Sequence, residues 1–183
     1  MAPDPKLEER WILLDECWKK MMALTDGLPN EQFAWRPDEG QWSIDQVLYH
    51  LYIAERGSLE YVKKKTSGTN TIPQAGVINE LKWQGLKRAL VSKKKWKAPA
   101  IVANIPPVED HEELIRDFED TRKECREYLE NLPMNRRTAE VFKHALAGRL
   151  NAYRMLDFFI HHFEHHRYQI ERIMEAMKKK KDV

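Results

Sequence analysis

Four of the chain's seven histidines fall within thirteen residues near its C-terminal end, FFIHHFEHHRYQI, residues 158–170. Imidazole ligates transition metals and exchanges protons near neutral pH, so two adjacent His doublets in one segment raise the question of a metal. In a helix each residue turns about 100° from the last. With Phe163 as the origin, Leu156, Phe159, Ile170, Met174 and Met177 fall within about 40° of it and mark a core face. His166 then lies about 60° away and His162 about 100° away, both on one side. His161 and His165 lie about 160° away, which predicts that they face water. The doublets therefore split into an inner i, i+4 pair and an outer one.

Two imidazoles at i, i+4 converge on one divalent ion in the H-E-x-x-H motif of metalloproteases. Here Glu164 sits on the flank opposite His162, so the protease arrangement does not fit. A third ligand has three candidates. His111 opens a helix and His144 sits in a turn. His50 lies in mid-helix, three residues after Val47 and about 100° from the centre of its apolar stripe, the same border position as His162. From spacing alone, His50 either joins the inner pair or bonds a carbonyl or faces solvent.

The elements that must position these residues are long amphipathic segments. The first runs from Leu7 to Asp26, with Leu14, Cys17, Trp18, Met21 and Met22 at helical spacing, and stops at Gly27-Leu28-Pro29. Ser43 and Gln46 form a capping-box pattern that opens a second helix, reaching Lys65 and carrying Ile44, Val47, Leu48, Leu51 and Ala54 on one face. A loop, SGTNTIPQAG, precedes a shorter helix over residues 78–97 with a basic exposed side. A further irregular connection, APAIVANIPPVED, leads to a third long helix, Glu109–Leu132. The stretch from His144 to Gly148 is a turn into the fourth, Asn151–Lys179. Strand alternation is nearly absent. The expectation is an all-α fold, one domain over residues 1–183, as an antiparallel four-helix bundle with a long crossover between helices two and three.

Composition narrows the function classes. Hydrophobic residues make up 42% and charged residues 33%, with 7 glycines, which suits a helix-rich globular chain. Apolar runs are short and broken by charge, so no membrane span is expected, and the N-terminus lacks a signal-peptide pattern. Net charge is +2 with both signs well mixed, so nucleic acid is not an expected partner. Lys93–Lys95 and Lys178–Lys181 are local basic clusters, the second suited to a helix C-terminus. Cys17 and Cys125 read as buried, inert thiols in a cytoplasmic protein.

The stretch LPNEQFAWRPDEGQWSIDQVLYHLYIAE, Leu28–Glu55, resembles the first signature of the DinB-like (DinB/YfiT) family, in which W-S-I opens the second helix and H-L-x-x-A-E carries a metal histidine. HHFEHHRYQI resembles the second signature, H-x-x-x-H-R-x-Q, and HALAGRL resembles the segment that introduces the last helix in one branch. The resemblance covers most of the chain in the right order. It implies an up-down-down-up four-helix bundle, a homodimer, and His50, His162 and His166 as ligands of a divalent metal, zinc or nickel foremost. The chain departs from many members at Tyr168, where they have Gly.

Three imidazoles leave a metal with an open position, the mark of a catalytic rather than a structural site. Two chemistries on a small-molecule substrate follow: hydrolysis by water activated on the metal, or S-transfer from a low-molecular-weight thiol cofactor, as the resemblance implies. Arg154 and Arg167 are candidates to pair with carboxylates of such a thiol. Glu55 or Asp45 would serve hydrolysis as a base, and Gln169 and Glu55 are candidates to orient the ligating histidines. Trp35 and Trp42 either wall a pocket or belong to the core. The alternative to an enzyme is a non-catalytic, metal-containing binding or sensing module of the stress response.

Overall fold

The computed structural model describes residues 4–69, 71–92 and 105–181. Helix α1, Pro5–Thr25, begins where the Asp4 side chain accepts a hydrogen bond from the Lys6 backbone N–H at 3.0 Å, with Pro at the first helical position. Its buried residues, Leu7, Trp11, Leu14, Cys17, Trp18 and Met21, follow the helical period read from sequence. The chain leaves it through Gly27, whose φ of 73° is the left-handed region that glycine tolerates best. A single-turn helix α2, Asn30–Phe33, follows.

Helix α3, Ile44–Thr66, opens on the expected capping box: Gln46 N–H donates to Ser43 Oγ, and Ser43 N–H donates to Gln46 Oε1. The Gln46 amide also donates to the Ile105 carbonyl at 2.7 Å, tying the start of α3 to the chain that leads into the next long helix. Helix α4, Val77–Val91, is the shorter helix of the crossover. Its expected extension to residue 97, the Lys93–Lys95 cluster and most of the second connection lie outside the described residues. Helix α5, His111–Asn131, is capped by Asp110, and a short α6, Met134–Arg137, follows it. The last helix, α7, runs Ala152–Lys181.

Side-chain pairs fix the directions. Arg10 meets Asp157 and Cys17 meets Glu164, so α1 and α7 run the same way. Asp45 meets His111 and Thr66 meets Tyr128, so α3 and α5 are parallel as well. Lys180 lies over the ring of Trp35 and His50 meets His162, so α3 and α7 are opposed. The bundle is therefore up-down-down-up. Two consecutive parallel helices need a return path, and α4 supplies it: Glu80, Trp83 and Leu90 meet Arg154, His161 and His165 in turn along α7.

The segment before α7 departs from the expected plain turn. It is a small antiparallel hairpin of β1, Phe142–His144, and β2, Gly148–Leu150, with His144 opposite Gly148. Strands this short carry no readable alternation. The core between the four long helices is aromatic at its centre, where Trp18, Phe118 and Phe163 pack edge-on or tilted with ring centroids 5.0–6.1 Å apart. At the far end, buried Arg137 donates to Asp4 and to the carbonyls of Leu132 and Glu130, while Tyr153 also donates to Asp4. That cluster joins the starts of α1 and α7 to the end of α5. No helix among the described residues is long and apolar enough to cross a membrane.

Candidate metal centre

The opposed α3 and α7 bring their border histidines face to face. His162 Nε2 lies 3.1 Å from His50 Nε2 and 3.0 Å from His166 Nε2. All three rings are buried, and their ligand atoms lie within 4.8 Å of one another. Among the described residues this is the one cluster of His, Cys, Asp or Glu side chains able to hold a metal ion.

The donor set fits such an ion. Nitrogens roughly 2.0–2.1 Å from a tetrahedral zinc are about 3.3 Å apart, close to the 3.1 and 3.0 Å that separate His162 Nε2 from those of His50 and His166. His166 Nδ1 donates to Gln169 Oε1 at 2.8 Å, which leaves its Nε2 with a lone pair aimed into the cluster. Burial lowers the proton affinity of all three rings: His50 is pushed down to about 4, and His162 and His166 well below the ordinary histidine value. Neighbouring histidines add to each shift. Neutral imidazole is the form that ligates.

Aromatic rings surround the nitrogens. Phe158 stacks on His162 with centroids 4.9 Å apart, and it is buried. The indole of Trp42, half-buried, lies 5.2 Å from His50 and 6.3 Å from His166, so this residue walls the site. Trp35 instead lies beneath Lys180. Sequence reasoning did not single out Phe158, one turn before His162 on the same face, although the i, i+4 spacing carried that signal.

Several other sequence expectations resolve differently. His161 and His165 are half-buried rather than turned to water, because α4 covers that flank of α7. His161 packs on Trp83 with centroids 6.0 Å apart, and His165 Nδ1 lies 3.2 Å from the Leu90 carbonyl in the last turn of α4. Asp45 stands at the start of α3 but is buried, its Oδ1 2.6 Å from His111 Nδ1. Glu55 is not an orienting partner of the three histidines. It is 2% exposed, hydrogen-bonds to nothing described, and lies 3.9 Å from Arg122 Nε. Burial raises its pKa to about 7 against the opposing pull of Arg122. Gln169 does take the orienting role expected of it. Arg154 pairs with Glu80 and Asp157, and Arg167 with Glu164 and Glu171 while lying over the Tyr168 ring. His50 Nδ1 is buried and has no hydrogen-bond partner among the described residues. Cys17 and Cys125 are free and buried, as expected, with burial the main cause that raises both thiols.

Comparison with known proteins agrees with this fold. The chain is similar to a solved structure described as "YfiT from Bacillus subtilis is a probable metal-dependent hydrolase with an unusual four-helix bundle topology". The two share 15% sequence identity and a TM-score of 0.61 over 97% of this chain and 91% of that one. At that identity the likeness establishes the fold. No curated protein matches the chain. The family model of the DinB superfamily matches residues 13–170, which take in α3 and the whole FFIHHFEHHRYQI segment. The chain belongs to the DinB superfamily.

Proposed function

We propose that the protein is a metal-dependent enzyme acting on a small molecule, with one divalent ion, zinc or nickel, on His50, His162 and His166. The observation that carries this reading is the convergence of three buried Nε2 atoms from two opposed helices. Such an ion activates water and polarises carbonyl groups when bound. The protein's own residues do the rest. Gln169 fixes one ring, Phe158 and Trp42 keep the surroundings apolar, and α4 braces the ligand helix from behind.

Between hydrolysis and thiol transfer, two features favour hydrolysis. Arg154 and Arg167, the cations suited to hold a thiol cofactor's carboxylates, are each already paired with two carboxylates. The solved structure of similar fold is itself described as a probable metal-dependent hydrolase. Two free, buried thiols fit a cytoplasmic setting. Ile12 and Leu13, exposed on α1, offer an apolar face for the homodimer implied by the family resemblance.

The test is elemental analysis of untagged protein, purified without a metal column, for wild type and His162→Ala. Wild type is expected to carry close to one divalent ion per chain and the variant almost none. The metal-loaded wild type should then hydrolyse members of a panel of small esters and amides, and His162→Ala should not. A wild-type protein that is metal-free and takes up neither zinc nor nickel would end the reading.

A further inference from the structure

The nitrogen cluster has no negative charge of its own. Imidazoles ligate as neutral groups, so a divalent ion held by three of them keeps both positive charges. The acidic residues nearest the ligands along the chain are turned to other partners. Asp45 faces His111, Glu55 faces Arg122, and Glu164 faces Arg167. A buried charge without a counter-charge is costly. An anion bound at the site supplies the missing negative charge.

The wall gives the second half of the argument. The three ligands and Phe158 are buried, whereas Trp42 is half-exposed and lies against both His50 and His166. Trp42 directly precedes Ser43, so the capping box and the bond from Gln46 to Ile105 hold the backbone beside it. A partly open indole on a held backbone, lying against two of the three histidines, is a surface for a flat apolar group.

We propose that the site takes a small anion bearing a planar apolar group, with Trp42 as the residue that selects for that group. The anionic end meets the metal and the planar end lies on the indole. This rests on the three-histidine metal reading, and the experiment separates the two. The protein is loaded with Co2+ as a coloured substitute, and its visible spectrum is followed during titration with benzohydroxamate, acetohydroxamate or neutral benzamide. Each hydroxamic acid binds as its anion, releasing one proton to solvent.

Both hydroxamates are expected to change the spectrum and benzamide to leave it unchanged. Benzohydroxamate should bind about 3- to 10-fold more tightly than acetohydroxamate, the range set by one aromatic contact. In Trp42→Leu that preference should vanish, with Co2+ uptake and acetohydroxamate binding unaltered. Trp42→Phe, which keeps a ring, should retain part of it. Equal binding of the two hydroxamates to wild type, or a preference that survives in Trp42→Leu, would overturn the role of Trp42. A Co2+ spectrum indifferent to both hydroxamates would overturn the inference while leaving the metal site standing. Protein that takes up no Co2+ would remove the metal reading and this inference together.

Discussion

Gln169 Oε1 accepts a hydrogen bond from His166 Nδ1 at 2.8 Å, three residues apart on the same helix. The bond settles which nitrogen of His166 carries the proton and turns the other toward His50 and His162. His50, by contrast, meets the cluster only through its Nε2, since its Nδ1 has no hydrogen-bond partner among the described residues. The orientation of the His166 ring therefore depends on one amide.

Removing that acceptor should weaken metal binding without unfolding the helix, because Gln169 is only half-buried. Gln169→Leu is expected to lose about 10- to 100-fold in zinc affinity, the usual cost of a lost partner behind a ligating histidine. Gln169→Glu keeps an acceptor at the same reach and should bind zinc at least as tightly as wild type. Competition against a chromophoric chelator measures both. Equal affinity in Gln169→Leu and wild type would show that the bond does not position the ligand.

His144 holds the hairpin through its ring: Nδ1 accepts from the backbone N–H groups of Leu146 and Ala147 at 3.1 and 3.2 Å. Burial pushes its pKa from 6.5 down to about 4. The unfolded chain thus takes up this proton near pH 6.5 and the folded one only near 4. Stability from this group is present above pH 6.5 and is lost as pH falls through that window, by up to about 3 kcal/mol. Asn at position 144 would offer a non-titrating oxygen to the same two N–H groups, as asparagine does in Asx turns. His144→Asn should match wild type at pH 7.5 to within about 1 kcal/mol and lose less stability at pH 4.5. The other buried histidines are common to both proteins and cancel in the comparison, apart from the minor charge coupling between His144 and His162. Urea unfolding at the two pH values decides it, and equal losses would refute the assignment.

The inner histidine pair was legible in the sequence because its geometry is local, whereas spacing left His50 open and only the family resemblance joined it to them. The 3.6-residue period of α7 and the position of His50 in the α3 stripe are properties of single helices, and burial followed them. The outer doublet was misread for the same reason. One helix's apolar stripe says nothing about a crossover helix returning along its opposite flank, so Trp83 and Leu90 beside His161 and His165 had no signal in α7 itself. The pairing of Asp45 with His111 joins residues 66 apart and was equally invisible. Glu55 is a subtler case. Five residues past His50, it lies about 140° around the helix from it, which already places it on a different face. The structure turns it toward α5 and Arg122, in the aromatic core rather than at the nitrogens.

That placement gives Glu55 a measurable consequence. Its carboxyl is buried with no hydrogen bond among the described residues, and burial raises its pKa from 4.5 to about 7 although Arg122 pulls the other way. The folded protein keeps this proton up to about pH 7, while the unfolded chain releases it near 4.5. The sign is opposite to that of His144: stability is highest below pH 4.5, falls as pH rises to 7, and is level above. The loss corresponds to about 3 kcal/mol. Glu55→Gln has nearly the same shape and cannot ionise. Its stability relative to wild type should therefore rise by about that amount between pH 5 and pH 8, whatever its offset at pH 5. Paired unfolding curves at the two pH values test this. A difference that stays constant with pH would mean that Glu55 is ionised throughout, its charge compensated by Arg122 despite the 3.9 Å gap.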